Sequence, residues 1–280
     1  MDELIEEIIA SWGINPVYSI DEMNKSRIVQ WIGQFREHER LPMLKLLRSL
    51  EFFTYRRLRT IEIPEMYDKI IARTDLPSIA QIKHSPDRIV FVAFGSSPAK
   101  SSSVLLHTMT LSKGARIPSG MILWYETLQA HLVANPKIEH IILVDDILGS
   151  GETLVSSLDQ IGQLMKDRHV SLSCVGTTDA VNSSMITHRY NFASFTVLAN
   201  HAFNRCFSID AGIFDSIDES VQAMEIARTY GSSLCNLHPL GFDNGQLLVT
   251  FYENCPDNSL PILWYDEHED WRPLFPRSGE

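Results

Sequence analysis

The stretch that decides the fold is Ile141-Ile142-Leu143-Val144-Asp145-Asp146-Ile147-Leu148-Gly149-Ser150-Gly151-Glu152-Thr153. Four consecutive apolar residues predict a buried strand, Ile141–Val144. Two carboxylates follow at its C-terminal end, the end at which open α/β sheets place their ligands. Asp145–Gly151 then reads as a small-residue loop feeding a helix from Glu152 to about Lys166. Backbone N–H groups at such a helix start, with the hydroxyls of Ser150 and Thr153, suit a phosphate. Carboxylates beside that cradle accept hydrogen bonds from vicinal ribose hydroxyls, directly or through Mg²⁺. Together they suit a sugar phosphate. A plain strand–turn–helix with an acidic cap is the simpler alternative. A receiver-type aspartate pocket leaves the hydroxyl-bearing loop unexplained.

Upstream, Arg88–Phe94 is another β-branched and aromatic run, and Gly95–Ser103 follows it as a Gly/Ser loop. Val104–Leu111 then reads as a helix. Leu111–Gly120 reads as an exposed loop, and Leu123–Ala134 as a helix. Val170–Val175 and Ser194–Leu198 are further strands. Strands alternating with helices predict an α/β fold with a mostly parallel sheet flanked by helices. The first ~80 residues read instead as helices. Leu4, Ile5, Ile8, Ile9 and Trp12 recur at helical spacing, as do Ile28, Val29, Ile32 and Phe35, and then Met43, Leu44, Leu47 and Leu50. A fourth helix follows Pro64, around Met66 to Ala72. In the C-terminal third only Gln246–Tyr252 reads as a strand, and the Pro- and aromatic-rich tail as an irregular ordered cap. The expected organisation is a helical extension over 1–85, a core over 86–200 and a cap or hood over 201–280.

Composition bounds the function. The chain has 280 residues, 44% hydrophobic and 21% charged, which is ordinary for a globular protein. With 24 Lys and Arg against 35 Asp and Glu the net charge is −11, poorly suited to general binding of nucleic acid or anionic membranes. A local basic cluster, Lys45, Arg48, Arg56, Arg57 and Arg59, is either a solvated helix face or a docking place for nucleic acid. No apolar run approaches the ~20 residues of a spanning helix, so no membrane is expected. Met1-Asp2-Glu3-Leu4 lacks the basic start of a signal peptide. Cys174, Cys206, Cys235 and Cys255 form no CxxC and read as reduced thiols, which points to the cytoplasm.

The Ile141–Thr153 segment resembles the phosphoribosyl-diphosphate (PRPP) motif of type I phosphoribosyltransferases. That pattern is four hydrophobics, two acids, two hydrophobics, any residue, Ser/Thr, Gly, any residue, Ser/Thr, and every constrained position matches. The resemblance implies the type I phosphoribosyltransferase fold, with the N-terminal helical extension and C-terminal cap added to it. It implies that Asp145 and Asp146 hold the ribose hydroxyls and Mg²⁺, and that Gly149, Ser150, Gly151, Glu152 and Thr153 wrap the 5′-phosphate. Gly95, Ser96, Lys100, Ser101 and Ser102 stand where the family keeps its diphosphate loop. That loop is not a Walker A, because Ala99 precedes Lys100 where GxxxxGK needs Gly. Leu111–Gly120 stands where the family keeps a mobile loop that closes over PRPP, and the resemblance makes Lys113 and Arg116 its cationic tips; an ordinary turn and an ordinary solvated loop are the alternatives for these two segments. Catalysis is then assigned to Asp145, Asp146 and Lys100.

Two departures qualify the resemblance. Gly149 stands where many purine-specific members carry an acid, and Glu152 adds a negative charge inside the phosphate loop. The resemblance covers Ile89 to Leu158, about a quarter of the chain. The helical N-terminus, with Asn254–Trp264 and Trp271–Phe275, looks like the phosphoribosyltransferase-like proteins of bacterial anti-phage gene clusters. That subgroup implies an effector working beside a partner protein, and type I members imply a homodimer. Candidates for reading a base are Asn200, His201 and Phe203, and in the tail Asn254, Asp257, Asn258 and Trp264, with turn capping or core filling as the alternative for each. The expected activity is Mg²⁺-dependent phosphoribosyl transfer from PRPP to a base, nucleotide or other acceptor. The rivals are a non-catalytic PRPP or nucleotide sensor and a nucleotide glycosidic-bond-cleaving enzyme using the same pocket.

Overall fold

Five parallel strands in the order β3-β2-β4-β5-β6 carry the site in the computed structural model. The structure describes residues 1–13, 25–73, 87–94, 101–111, 117, 119–149, 151–178 and 183–277. In chain order the strands are β1 (Glu51–Phe53), β2 (Ile89–Ala93), β3 (Ile122–Leu123), β4 (His140–Leu148), β5 (His169–Thr177), β6 (Ser194–Ala202) and β7 (Val249–Phe251). This is the α/β fold expected of a type I phosphoribosyltransferase-like chain. Chain direction across the sheet reverses between β2 and β4. That reversal is the topological switch point, where crevices open beyond the carboxyl ends of the strands.

β2 and the first half of β4 are near-continuous apolar runs buried on both faces, while β5 alternates Val170, Leu172 and Cys174 with Ser171 and Ser173. On one face Val90, Val92, Ile141, Leu143, Val170, Leu172, Cys174 and Phe195 meet Leu128, Leu132, Leu154, Leu158, Ile161, Ile186 and Tyr190 from three helices, Leu128–Ala134, Glu152–Ile161 and Ser183–Tyr190. On the other face the helix Ile63–Ile71 packs over β5 and β6, and the helix Ser101–Leu111 over β2 and β4. Pro64 lies inside a helical run from Tyr55 to Ile71. Its ring brings no N–H and crowds the carbonyl four residues back. The turn just before it, Leu58–Glu62, is widened to a π-helix.

Several elements differ from expectation. β4 does not end at Val144 but pairs with β5 through Leu148↔Thr177, so both aspartates belong to the strand. Asp145 Oδ1 accepts the Asp146 N–H at 3.0 Å, and Asp146 Oδ1 accepts the Ile147 N–H at 2.7 Å. These local bonds let two charged residues finish a strand. The expected helix Leu123–Ala134 is a two-residue strand, β3, a turn and then the helix. In the segment expected as an exposed loop, Ile117 is buried.

The chain forms two compact units, Arg56–Phe203 and Met1–Tyr55 with Asn204–Glu280, in place of the three consecutive segments expected with boundaries at 85 and 200. The physical reason lies in long-range pairing. β1 and β7 form a parallel two-stranded sheet, and Trp31 Nε1 donates to the Ile262 carbonyl at 2.7 Å. The core of this unit gathers Trp12, Trp31, Phe35, Phe52, Trp264, Trp271 and Phe275. It also holds the 18-residue helix Ile217–Leu234, whose N-cap Ser216 accepts the Glu219 N–H.

Candidate functional site

The site is built at the carboxyl end of β4. Asp145 and Asp146 are half-buried there. Gly149 and Gly151 follow, and Gly151 caps the helix Glu152–Ile161 with φ +81°, a left-handed conformation that favours glycine. Its carbonyl accepts the Val155 N–H at 2.9 Å, so the helix starts at once. The hydroxyl of Thr178, just past β5, donates to the Gly149 carbonyl at 2.8 Å and pins the loop. The Phe94 N–H donates to the Val144 carbonyl at 2.9 Å, joining the ends of β2 and β4 at the switch point. The arrangement thus offers carboxylates and a helix N-terminus within one turn of chain, one for hydroxyls and one for an anion.

Other predicted site residues are placed less completely. Gly95, Ser96, Lys100, Lys113, Arg116 and Ser150 lie outside the described residues. Ser101, Glu152 and Thr153 begin their helices, and their backbone alone is described. Ser102 is buried on the helix Ser101–Leu111.

The surroundings of the aspartates add a cation and a thiol. Asp145, Cys174 and Ala199 are consecutive partners across β4, β5 and β6. Burial, then the charges of Asp145 and Asp146, hold the Cys174 thiol well above its usual pKa, with Lys69 opposing. A thiol so suppressed is a poor nucleophile. Lys69, on the helix Ile63–Ile71, donates to the Ala199 carbonyl at 2.6 Å. Sequence reasoning passed over Lys69; the signal was a cation within an amphipathic helix beside the sheet.

At the end of β6 the expected base readers are otherwise engaged. Asn200 Nδ2 donates to the Glu62 carbonyl at 2.8 Å and to Glu62 Oε2 at 3.0 Å, and His201 Nε2 lies 2.8 Å from the same oxygen. Arg57 Nε donates to Glu62 Oε1 at 2.9 Å. Glu62 itself is 1% exposed. Phe203 lies over Gly176, where a Cβ would overlap its ring, and stacks on His201 with ring centroids 6.0 Å apart.

The tail candidates have structural work in the other unit. Asn258 Nδ2 donates to the Phe242 carbonyl, and the Phe242 N–H donates to the Asp257 carbonyl. The Asn254 carbonyl accepts the Phe251 N–H. Trp264 is buried, donates to the Ser259 carbonyl at 3.0 Å and carries the Arg277 guanidinium 4.2 Å above its ring. The turn and core alternatives hold for the side chains of Asn258 and Trp264, while Asn254 and Asp257 take part through their backbone carbonyls. The basic cluster is likewise not one open patch. Lys45 pairs with Asp215 and Glu219, Arg48 lies 3.9 Å from Glu7, and Arg57 is bound to Glu62. No helix among the described residues is long and apolar enough to cross a membrane.

Two adjacent carboxylates fit Mg²⁺, which takes one or two from a protein and completes its shell with waters and substrate phosphates. No group of three His, Cys, Asp or Glu converges into a cation cage among the described residues. Mg²⁺ held together with a phosphorylated substrate does not require one. No curated protein and no solved structure matches the chain. The phosphoribosyltransferase-type family model described as PRTase-CE matches residues 28–277, most of the sequence and well beyond the β4 segment, and the chain belongs to that family.

Proposed function

We propose that the protein transfers a phosphoribosyl group from PRPP, with Mg²⁺ as cofactor. One observation carries the reading: adjacent carboxylates at the end of β4, followed within a single loop by a glycine-capped helix start, in a chain of the PRTase-CE family. Asp145 and Asp146 accept hydrogen bonds from the ribose hydroxyls and hold the sugar as positive charge develops at C1′. The N–H groups from Gly149 to Thr153 bind the 5′-phosphate, and Thr178 keeps that loop in place. Asp145 and Asp146 would hold Mg²⁺, which would supply charge neutralisation to the departing diphosphate. Lys100 is assigned to the same diphosphate, with Lys113 and Arg116 closing over it. Holding both ends of the donor converts attack at C1′ into an oriented, effectively unimolecular step.

The anti-phage role belongs to the same proposal: a cytoplasmic effector that modifies a base, nucleotide or other acceptor beside a partner protein. A sensor that binds PRPP and signals without turnover is the rival, favoured by Gly149 in place of an acid. Calorimetric titration of PRPP with and without Mg²⁺, on wild type and on Asp145→Asn/Asp146→Asn, tests the reading. Binding that needs both acids and Mg²⁺ supports it, and absence of PRPP binding overturns it. Diphosphate release in the same samples separates enzyme from sensor.

A further inference from the structure

We propose that the hydroxyl of Tyr67 is a further ligand-binding donor of the site, bonding the diphosphate of PRPP from the sheet face opposite the 5′-phosphate loop. The proposal rests on the phosphoribosyl-transfer reading above.

The two faces of the sheet divide the donor. Ile141, Leu143 and Cys174 pack with Leu154 and Leu158 of the helix Glu152–Ile161. Side chains alternate along a strand, so Asp145, the partner of Cys174, lies on that face and Asp146 on the other. The second face is covered by two neighbouring helices, Ile63–Ile71 and Ser101–Leu111. A donor spanning both acids carries its 5′-phosphate to the first face and its diphosphate to the second. There the helix Ser101–Leu111 opens after β2 with no acid in its first turn, so nothing at that end repels an anion.

Tyr67 reaches this face from the other helix. The Glu62 carbonyl accepts from Asn200, whose row across the sheet is that of Asp146, and Arg73 donates to Ser171, further back along β5. The helix between them therefore runs against the strands. Tyr67 stands five residues past Glu62, about 7.5 Å of helical rise. Helical side chains lean toward the start of their helix, which here is the carboxyl end of the sheet. Lys69 marks the flank that meets the edge strand, because it donates to the Ala199 carbonyl of β6. At about 100° per residue, Tyr67 stands about 160° around the axis from Lys69, on the flank facing the helix Ser101–Leu111.

The residue is 4% exposed, yet its hydroxyl has no hydrogen-bond partner among the described residues. A buried hydroxyl left so is costly, and a ligand oxygen answers it. Burial, then the charge of Asp68, raises the Tyr67 pKa, so the phenol stays protonated and donates. The chemistry is complementary to that of Asp146. A carboxylate accepts from ribose hydroxyls, and a phenol O–H is matched by the acceptor oxygens of diphosphate.

The test is calorimetric titration of PRPP and of ribose 5-phosphate, each in Mg²⁺, on wild type and Tyr67→Phe. A wild type that binds no PRPP overturns the phosphoribosyl-transfer reading, and this assignment falls with it. Given binding, Tyr67→Phe is expected to lose about 10-fold in affinity for PRPP and none for ribose 5-phosphate, which lacks the diphosphate. Its denaturation midpoint without ligand should equal or exceed that of wild type, because the hydroxyl removed bonds nothing in the protein. Unchanged PRPP affinity, or an equal loss for ribose 5-phosphate, overturns the assignment while the phosphoribosyl-transfer reading stands. A lowered midpoint also overturns it, by giving the hydroxyl a structural role. The ring of wild type gives a readout that needs no variant: the Tyr67 Cζ chemical shift is expected to move on adding PRPP and to stay with ribose 5-phosphate. A signal that PRPP leaves unmoved overturns the assignment even if Tyr67→Phe fails to fold.

Discussion

The two units treat their polar groups differently. In the unit formed by Met1–Tyr55 and Asn204–Glu280, polar groups within the core are largely answered by the unit's own backbone. Trp12, Trp31 and Trp264 each donate an indole N–H to a carbonyl, and Glu39 accepts from the Tyr230 hydroxyl at 2.7 Å and from the Arg36 N–H at 2.9 Å. In the unit Arg56–Phe203, the polar residues at the carboxyl end of the sheet stay half-buried. Asp145 and Asp146 each give one oxygen to the next residue's N–H. Closed networks spend their hydrogen bonds on stability. Half-buried carboxylates at a switch point stand where the proposed ligand would bind. Substitutions in the first unit should therefore be read in unfolding, and those at the end of β4 in binding.

The largest effect that sharpens this contrast is Trp31→Ala. The ring is 1% exposed, packs edge-on to Phe35 at 5.0 Å and holds the Ile262 carbonyl. Its loss should cost about 3–5 kcal/mol, seen as a lower denaturation midpoint. PRPP affinity well below the unfolding temperature should stay at the wild-type value. A loss of affinity there would break the division of labour.

Asp145→Asn/Asp146→Asn is the converse. PRPP affinity should fall by about 100-fold, roughly 2.7 kcal/mol, with the denaturation midpoint nearly unchanged. The amide oxygens still accept the local N–H bonds, so the strand end survives. Variants that unfold easily would show that the acids are structural, which breaks the comparison from the other side.

Gly176→Ala tests a position where both demands meet. A Cβ there overlaps the Phe203 ring, so the ring must shift, at a cost of about 1–3 kcal/mol. The His201–Phe203 stack should be disturbed with it. A stability change without any change in diphosphate release would remove Phe203 from the acceptor's surroundings.

What was legible in the sequence follows the same line. β2 and β4 announce themselves as short apolar runs, because strands buried on both faces need no alternation, while β5 shows apolar residues alternating with Ser171 and Ser173 and β6 a short β-branched and aromatic run. The Asp145–Thr153 segment is legible because its pattern is local. β1 and β7 are three residues each, and their pairing joins positions about 200 apart, which no local pattern records. The helix Ile217–Leu234 did leave a signal, Ser216 followed by Glu219 three residues on, the start of a capping box. The Glu62 network was hidden for another reason. His201 and Asn200 were visible as candidates after the last strand, but their partner lies about 140 residues earlier, on a π-turn that sequence periodicity does not predict.

The smallest effect is expected at Lys45, the best-paired member of the basic cluster. Its Nζ lies 2.8 Å from Asp215 and 2.6 Å from Glu219. The hydrogen bond to Asp215, then that to Glu219, raises the Lys45 pKa; the Lys45 hydrogen bond lowers those of both carboxyls. A depressed carboxyl contributes stability above its unfolded pKa, about 3.9 for Asp and 4.3 for Glu, and loses it as pH falls through the folded value. A raised lysine contributes below its unfolded pKa, about 10.4, and loses it as pH rises through the folded value. The contribution is therefore complete at neutral pH and fails at both extremes. Asp215 is 92% exposed and Glu219 25%, so solvent screens the first partner far more, and Glu219 carries most of a small effect. Denaturation of wild type and Lys45→Met should differ slightly and constantly across neutral pH. The difference should begin to shrink below about pH 4 and vanish only once pH has fallen through the lowered folded values of both carboxyls. A difference that persists at low pH would mean that the methylene stem of Lys45, and not its charge, is what the unit uses, making this residue one more packed member of a closed network.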